Sequence, residues 1–297
     1  MANQIALFKE YVPILDEVYK EASKTAVLDG APELARAGAN ANELIIPKLD
    51  MQGLGDYNRN SGYVDGDVTL TNQTVTCNFD RGRMFTVDAM DDMESAGLAF
   101  GRLAGEFIRT KVAPEVDAFR FACYAAAPGI STTTGATLSD GAGVVAALRA
   151  AATKMDEDEV PMEGRLLFIT PTLLGLVQDM DTTKSREVLA RFESVTTVPQ
   201  TRFYTAIEQL SGKPAAREEG QDETAGGYRK AAAGKDINFL VIHRGAPIQF
   251  TKHLAPKVIQ PEQNQNADAW KFGYRMVGIA DAYENKAAGI YLHAATT

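Results

Sequence analysis

The chain has 297 residues, 45% of them apolar and 23% charged, a composition that suits one large or two modest globular domains and excludes disordered, collagen-like and coiled-coil chains. Its 30 Lys and Arg stand against 39 Asp and Glu, a formal net charge of −9. No segment is basic, so no cation cluster is present to release counterions from nucleic acid, and sequence-specific reading of DNA is disfavoured. No apolar run reaches the length of a membrane span. The N-terminus lacks the basic flank and apolar core of a secretion signal. Cys77 and Cys123 have no metal or redox spacing, which fits synthesis in a reducing, intracellular place.

Residues 3–25 read as a helix. Asn3 can cap it, and Ile5, Phe8, Val12, Leu15, Tyr19 and Ala22 recur at three- and four-residue spacing, with Pro13 kinking the helix or marking its start. Such a stripe packs on its own domain or on a neighbour. Residues 26–43 read as an irregular arm, and 44–50 as an edge strand because it contains Pro47. Residues 52–67 are dense in Gly, Asp and Asn, which is turn chemistry. Alternation over 73–88 then predicts strands, completing a two-stranded hairpin with a polar tip. A hairpin alone is marginal in water. It needs a surface, from its own chain or from another.

Residues 91–126 predict a long helix opened by an Asp91/Glu94 capping box. Met93, Phe100, Leu103, Phe107, Val112, Val116, Phe119 and Cys123 keep helical spacing, and Pro114 should bend or divide the element. A Ser/Thr/Gly linker over 128–141 precedes alternating helices and strands. Helices are expected over 142–155 and from Pro171 to Met180, with helical turns near 185–194 and 202–210. Strands are expected over 165–169, 237–243 and 246–252, and a strand pair over 269–293. Residues 211–236 read as an exposed, mobile loop. There is no internal repeat.

The chemistry on offer is thin. Gly141 to Ala146 fits a GxGxxA dinucleotide fingerprint, but that pattern matters only directly after a buried strand, and 130–140 does not read as one. A helix start rich in small residues is the better reading. No phosphate loop and no serine-nucleophile elbow is present. His243, His253 and His293 lack metal-ligand spacing and read as strand-end or surface residues. The acidic run 156–159 reads as a solvated connection. Nothing assembles a nucleophile, a base and an oxyanion site, so no enzyme activity, cofactor or metal is expected.

Three stretches, however, resemble a known architecture. Residues 80–88 (DRGRMFTVD) leading into Asp91-Asp92-Met93-Glu94 look like a junction between an extended loop and a spine helix. Residues 112–118 (VAPEVDA) look like a spine segment, and 11–16 with 41–47 are similar to an arm and loop entry. Together with the element order, they resemble the major capsid proteins of tailed bacteriophages, the Hong Kong 97 fold family. The resemblance implies an α+β fold with an N-terminal arm (1–45), an extended β-hairpin loop (46–90), a peripheral domain with the spine helix (91–130), a mixed α/β axial domain (131–255) and peripheral-domain strands with the C-terminus (256–297). It implies a shell subunit that forms hexamers and pentamers around double-stranded DNA in the virion, made in the host bacterial cytoplasm. The implied partners are further copies, a portal protein and, in some relatives, scaffold and decoration proteins; no membrane is involved. About 45 residues precede the loop, which leads to the expectation of a separate scaffold or none.

Within that frame, Lys48, Arg59, Tyr63, Arg81, Arg83 and Asp88 are the candidates for contacts between subunits, with Arg81 and Arg83 expected to pair with carboxylates at the hairpin base. Lys48, Glu284 and Asn285 match a covalent cross-link found in some relatives by residue type only. An encapsulin-like compartment and a dinucleotide-dependent enzyme are the alternatives.

Overall fold

The computed structural model describes residues 22–30, 36–37, 43–60, 62–94, 98–135, 137–214 and 223–296. The helix expected over 3–25 lies almost wholly outside them. The chain divides into two compact units, Ala31–Asn78 and the remainder.

In the smaller unit, β1 (Arg36–Ala37), β2 (Glu43–Met51) and β3 (Val68–Thr76) form an antiparallel sheet in that order. β2 and β3 pair from Glu43↔Thr76 to Met51↔Val68. β1 covers only Leu44 and Ile45, so Pro47 stands where β2 has an open edge, as a residue without an N–H should. The expected hairpin is present, but its return strand is Val68–Thr76, and 79–88 belongs elsewhere. Two buried residues, Ile46 and Val75, are all the core this sheet has among the described residues.

In the larger unit, β4 (Phe79–Asp88) runs into α1 (Ala89–Glu94). The cap is Asp88, whose Oδ1 accepts the Met90 N–H at 2.9 Å, and not the expected Asp91. α2 (Leu98–Phe107), a π-helical turn (Ile108–Val112) and α3 (Ala113–Ala126) then make one uninterrupted run from Leu98 to Ala126. Pro114 therefore neither splits nor ends the helix. The Ala113 N–H bonds back to the Ile108 carbonyl, and this one wide turn makes room for a ring that would otherwise strike the carbonyl four residues earlier.

β5 (Ser131–Thr134), α4 (Gly141–Glu157), β6 (Arg165–Ile169), α5 (Pro171–Asp179), α6 (Thr183–Leu189) and β7 (Ser194–Thr197) come next. β8 (Ile207–Gln209) and β9 (Tyr228–Lys230) form a small antiparallel pair, where the sequence suggested helical turns and a loop. β10 (Ile237–His243), β11 (Pro247–Ile259), β12 (Ala269–Ala282) and β13 (Ile290–Ala294) complete the order. β12 and β13 are not partners of each other. β12 lies between β11 and β4, and β13 enters the five-stranded sheet β5-β13-β10-β6-β7. The supposed linker thus supplies β5, an edge strand parallel to β13.

The apolar run of β6 explains the core. Leu166 and Phe168 face Phe121 and Tyr124 of α3, while Leu167 and Ile169 face Val144, Leu148 and Val177 of α4 and α5. A strand covered on both faces has no polar side, hence the continuous run instead of alternation. Arg165 is the exception and is fully buried. Its guanidinium reaches the Pro161 and Ala152 carbonyls and the Asp156 carboxylate at 2.8 Å.

Candidate assembly surface

β4 alternates Phe79, Arg81, Arg83 and Phe85 on one face. Phe79 packs on Phe119 and Phe85 on Phe107, with ring centroids 5.1 and 4.8 Å apart, which fixes the strand against the long helix. Between them, the Arg81 Nε donates to the Glu115 carboxylate at 2.8 Å, and its Nη2 donates to the Leu210 and Gly227 carbonyls at 2.8 and 3.1 Å. Arg83 donates to the Ala225 and Thr224 carbonyls, both at 3.0 Å. Arg81 thus has the carboxylate partner expected of it, inside its own chain, whereas Arg83 holds backbone. Burial pushes the Glu115 carboxyl above its ordinary pKa, and the adjacent Arg81 opposes that shift.

These contacts show that the ends of the 211–236 segment are docked on β4. Gly226 makes the fit possible: its φ of +65° suits glycine, and a Cβ there would come within 2.6 Å of the Arg83 Nη1. β4, α2 and the β8–β9 pair together line a groove of about 1320 Å³. Its floor includes Phe85, Phe107 and Tyr274, and Arg83, Lys111 and Arg229 stand among its charged lining.

A second cluster sits on α3. Asp117 is fully buried and accepts from the Ser23 hydroxyl (2.7 Å), the Lys24 N–H (2.8 Å), the Thr25 N–H (3.1 Å) and hydroxyl (2.8 Å), and the Arg202 Nη1 (3.2 Å). Gln249 on β11 donates to the Thr25 carbonyl and the Asp29 carboxylate, and accepts from the Tyr124 hydroxyl at 2.6 Å. Residues 22–30 are thereby tied to the helix by polar bonds, with Leu28 inserted into the core. Sequence reasoning missed this cluster. The available signal was Asp117 itself, a charge on the stripe of Ala113, Phe121 and Tyr124 that faces inward.

The other candidate contact residues lie in the hairpin. Lys48 is half-buried on β2, Arg59 is exposed in the connection, and Tyr63 is 88% exposed with its ring tilted on Tyr57 at 4.9 Å. Arg81 and Arg83 are engaged within the larger unit and Asp88 caps α1. The tip is also less polar than expected. Of thirteen large hydrophobic residues exposed among those described, eight fall between Leu49 and Leu70. Counting glycines and aspartates hid the apolar residues interleaved with them. Glu284 and Asn285 lie in a 3₁₀ turn, Glu284–Gly289.

The remaining sequence features have structural explanations. Gly141 opens α4 where any Cβ would come within 2.4 Å of the Leu176 carbonyl on α5, and Gly143 leaves room for the Asp140 cap. The acidic run is not merely solvated: Asp156 bridges Arg165 and Arg191, chiefly through its bond to Arg165, and its carboxyl is held below the usual pKa. Asp158 pairs with Lys154. His243 and His293 are both shifted down by burial. The His293 Nδ1 meets the Asn238 amide at 3.1 Å and its ring stacks on Phe239. The side chain of His253 lies outside the described set. Among the described residues no cluster of His, Cys, Asp or Glu is placed to hold a metal. Burial pushes the Cys123 thiol up to about 12, which makes it a poor nucleophile.

No protein-family model matches the sequence, nor does any curated protein. Solved structures do match in fold. A chain from the capsid of the cyanophage P-SCSP1u is 14% identical with a TM-score of 0.58, covering 88% of this chain and 86% of that one. A chain from the mature capsid of bacteriophage PhiM1 is 14% identical with a TM-score of 0.54, over 88% and 84%. The chain has the Hong Kong 97 fold. A virus-like particle from Pyrococcus furiosus shares that fold at 9% identity and a TM-score of 0.55, over 96% of this chain and 99% of the other.

Proposed function

We propose that the protein is the major capsid protein of a tailed double-stranded DNA bacteriophage, a structural subunit without catalytic chemistry that assembles into hexamers and pentamers of an icosahedral shell. The observation that carries the reading is the fold shared with phage capsid chains along more than four fifths of both partners. The hairpin supports it, because eight exposed apolar residues on a two-stranded element call for a covering surface. The net charge of −9 suits a wall that encloses DNA without gripping its phosphates. Residues 1–45 serve as the arm, the hairpin as the extended loop, α1–α3 with β11, β12 and β4 as the peripheral domain, and the five-stranded sheet with its helices as the axial domain. A portal and separate scaffold or decoration proteins are the partners beyond the subunit itself, and the virion is its location.

The likeness to the Pyrococcus furiosus particle carries a second reading, a compartment shell. Negative-stain microscopy of the purified chain tests the shell reading directly: hollow particles or five- and six-membered rings are expected, and a monodisperse monomer at high concentration overturns it. A cargo protein captured inside the particles, with no DNA packaged during infection, favours the compartment.

A further inference from the structure

We propose that His243 is a proton-operated clamp on the joint between the five-stranded sheet and the β11-β12-β4 sheet: as a neutral imidazole it fastens together two short crossings that connect them, and as a cation it lets them part. The crossings are 244–246, from β10 to β11, and 283–289, from β12 to β13. They meet at His243, the last residue of β10. Its Nδ1 accepts the Gly245 N–H at 3.2 Å. Its carbonyl accepts the Ala246 N–H at 2.9 Å, and the Ala246 carbonyl in turn accepts the Tyr283 N–H at 3.0 Å. Gly289 leaves the room this needs, since a Cβ there would come within 3.3 Å of the His243 Cβ and 2.9 Å of the Ala246 Cβ. On the other side Gly164, at a φ of +83°, brings the loop ahead of β6 against the ring, where a Cβ would lie 3.3 Å from the His243 Nε2.

A backbone N–H can only donate, so the bond to Gly245 requires an unprotonated Nδ1. A proton there sets two donors against each other and removes the acceptor. The surroundings oppose that proton. Arg165 acts on the ring from β6, where it is paired with Asp156, and Lys286 acts from the second crossing, where its Nζ lies over the Tyr283 ring. Glu193, just ahead of β7, is the acidic neighbour, and its carboxylate is already bonded to Arg244 of the first crossing at 2.9 Å. Burial, ahead of Lys286 and Arg165, holds the His243 imidazole below its ordinary pKa, against the pull of the Glu163 carbonyl and Glu193. The clamp is therefore complete above the unfolded value of about 6.5 and is lost as pH falls through the lower, folded value. It lies within one subunit and does not depend on the shell reading.

The test follows the full chain, isotope-labelled in its histidines and backbone, by NMR from about pH 8 to 5. The expected result is a His243 midpoint below that of an ordinary histidine. Amide exchange at Gly245 and Tyr283, corrected for its intrinsic pH dependence, should rise severalfold at that same midpoint. His243→Gln has no charge to gain, and its side-chain oxygen can accept the Gly245 N–H, so exchange at both amides should stay flat across the range. A His243 midpoint at or above the ordinary value, or amides that do not respond at that midpoint, overturns the proposal. So does an unchanged step in His243→Gln, which would assign the response to another group such as His293. If that variant does not fold, coincidence of the three midpoints in the parent protein supports the clamp and their separation overturns it.

Discussion

The five-stranded sheet and the β2–β3 hairpin are built from the same kinds of residue and differ in who covers them. β6 and β13 are buried along their whole length between α3 on one side and α4 and α5 on the other. β3 has one buried residue in nine. Apolar side chains in the first case stabilise the subunit's own fold, whereas the same side chains in the second are free to stabilise something else. One chain therefore separates folding and association into different strands.

Four substitutions sharpen that contrast, in order of their effect on the free subunit. Phe168→Ala, in the centre of β6, should lower the unfolding free energy by about 3–5 kcal/mol in a denaturant titration. A loss under about 1 kcal/mol would mean the sheet core is not what holds the subunit. Asp117→Ala should cost about 3 kcal/mol, because the donors gathered on it lose their acceptor in a buried place. Limited proteolysis should then cut within 22–30 faster than in the parent. Arg81→Leu should cost about 1–2 kcal/mol by freeing the Glu115 carboxylate and two carbonyls, seen as faster amide exchange at Gly227. Replacing 54–70 by a short Gly/Ser link should change subunit stability by under about 0.5 kcal/mol while abolishing particles in the microscope. Normal particles from that variant, or an unfolded chain, would erase the distinction between the two regions.

A pH experiment extends the comparison inside the larger unit. The Asp156 carboxyl has its folded pKa lowered by Arg165 and Arg191, so its contribution is present above the unfolded value of about 3.9 and is lost as pH falls through the lower, folded value. Asp156→Asn should flatten the acid limb of a stability–pH curve below about pH 4 and leave its shape at neutral pH unchanged. An identical acid limb in the two proteins would show that the pairing has no energetic role.

Legibility in the sequence followed the same divide. β6, β10 and the α2–α3 helix could be read because burial on both faces, or along one stripe, writes a period into the residues. β5 and β8 could not, since Ser131–Thr134 and Ile207–Gln209 are short and half-exposed and owe their conformation to partners far along the chain. Pro114 was a sound signal with an unexpected answer: widening the helix by one turn at Ile108–Val112 satisfied the same steric demand as breaking it. At the candidate site, Arg81 and Arg83 were visible as residues, but their partners were not. Backbone carbonyls at 210 and 224–227 carry no sequence signature, apart from the glycine that lets Arg83 approach.

The way the sheets are threaded has a consequence for the order of synthesis. β4 waits for β12, with Asp80 and Arg275 joined across 195 residues, and β5 waits for β13, with Thr133 and Tyr291 joined across 158. β13 then fills the gap between β5 and β10. Such long-range pairings close late and slowly. A nascent chain cannot finish its central sheet until Ile290–Ala294 has been made, so a half-translated subunit has no completed core to bring to a growing particle.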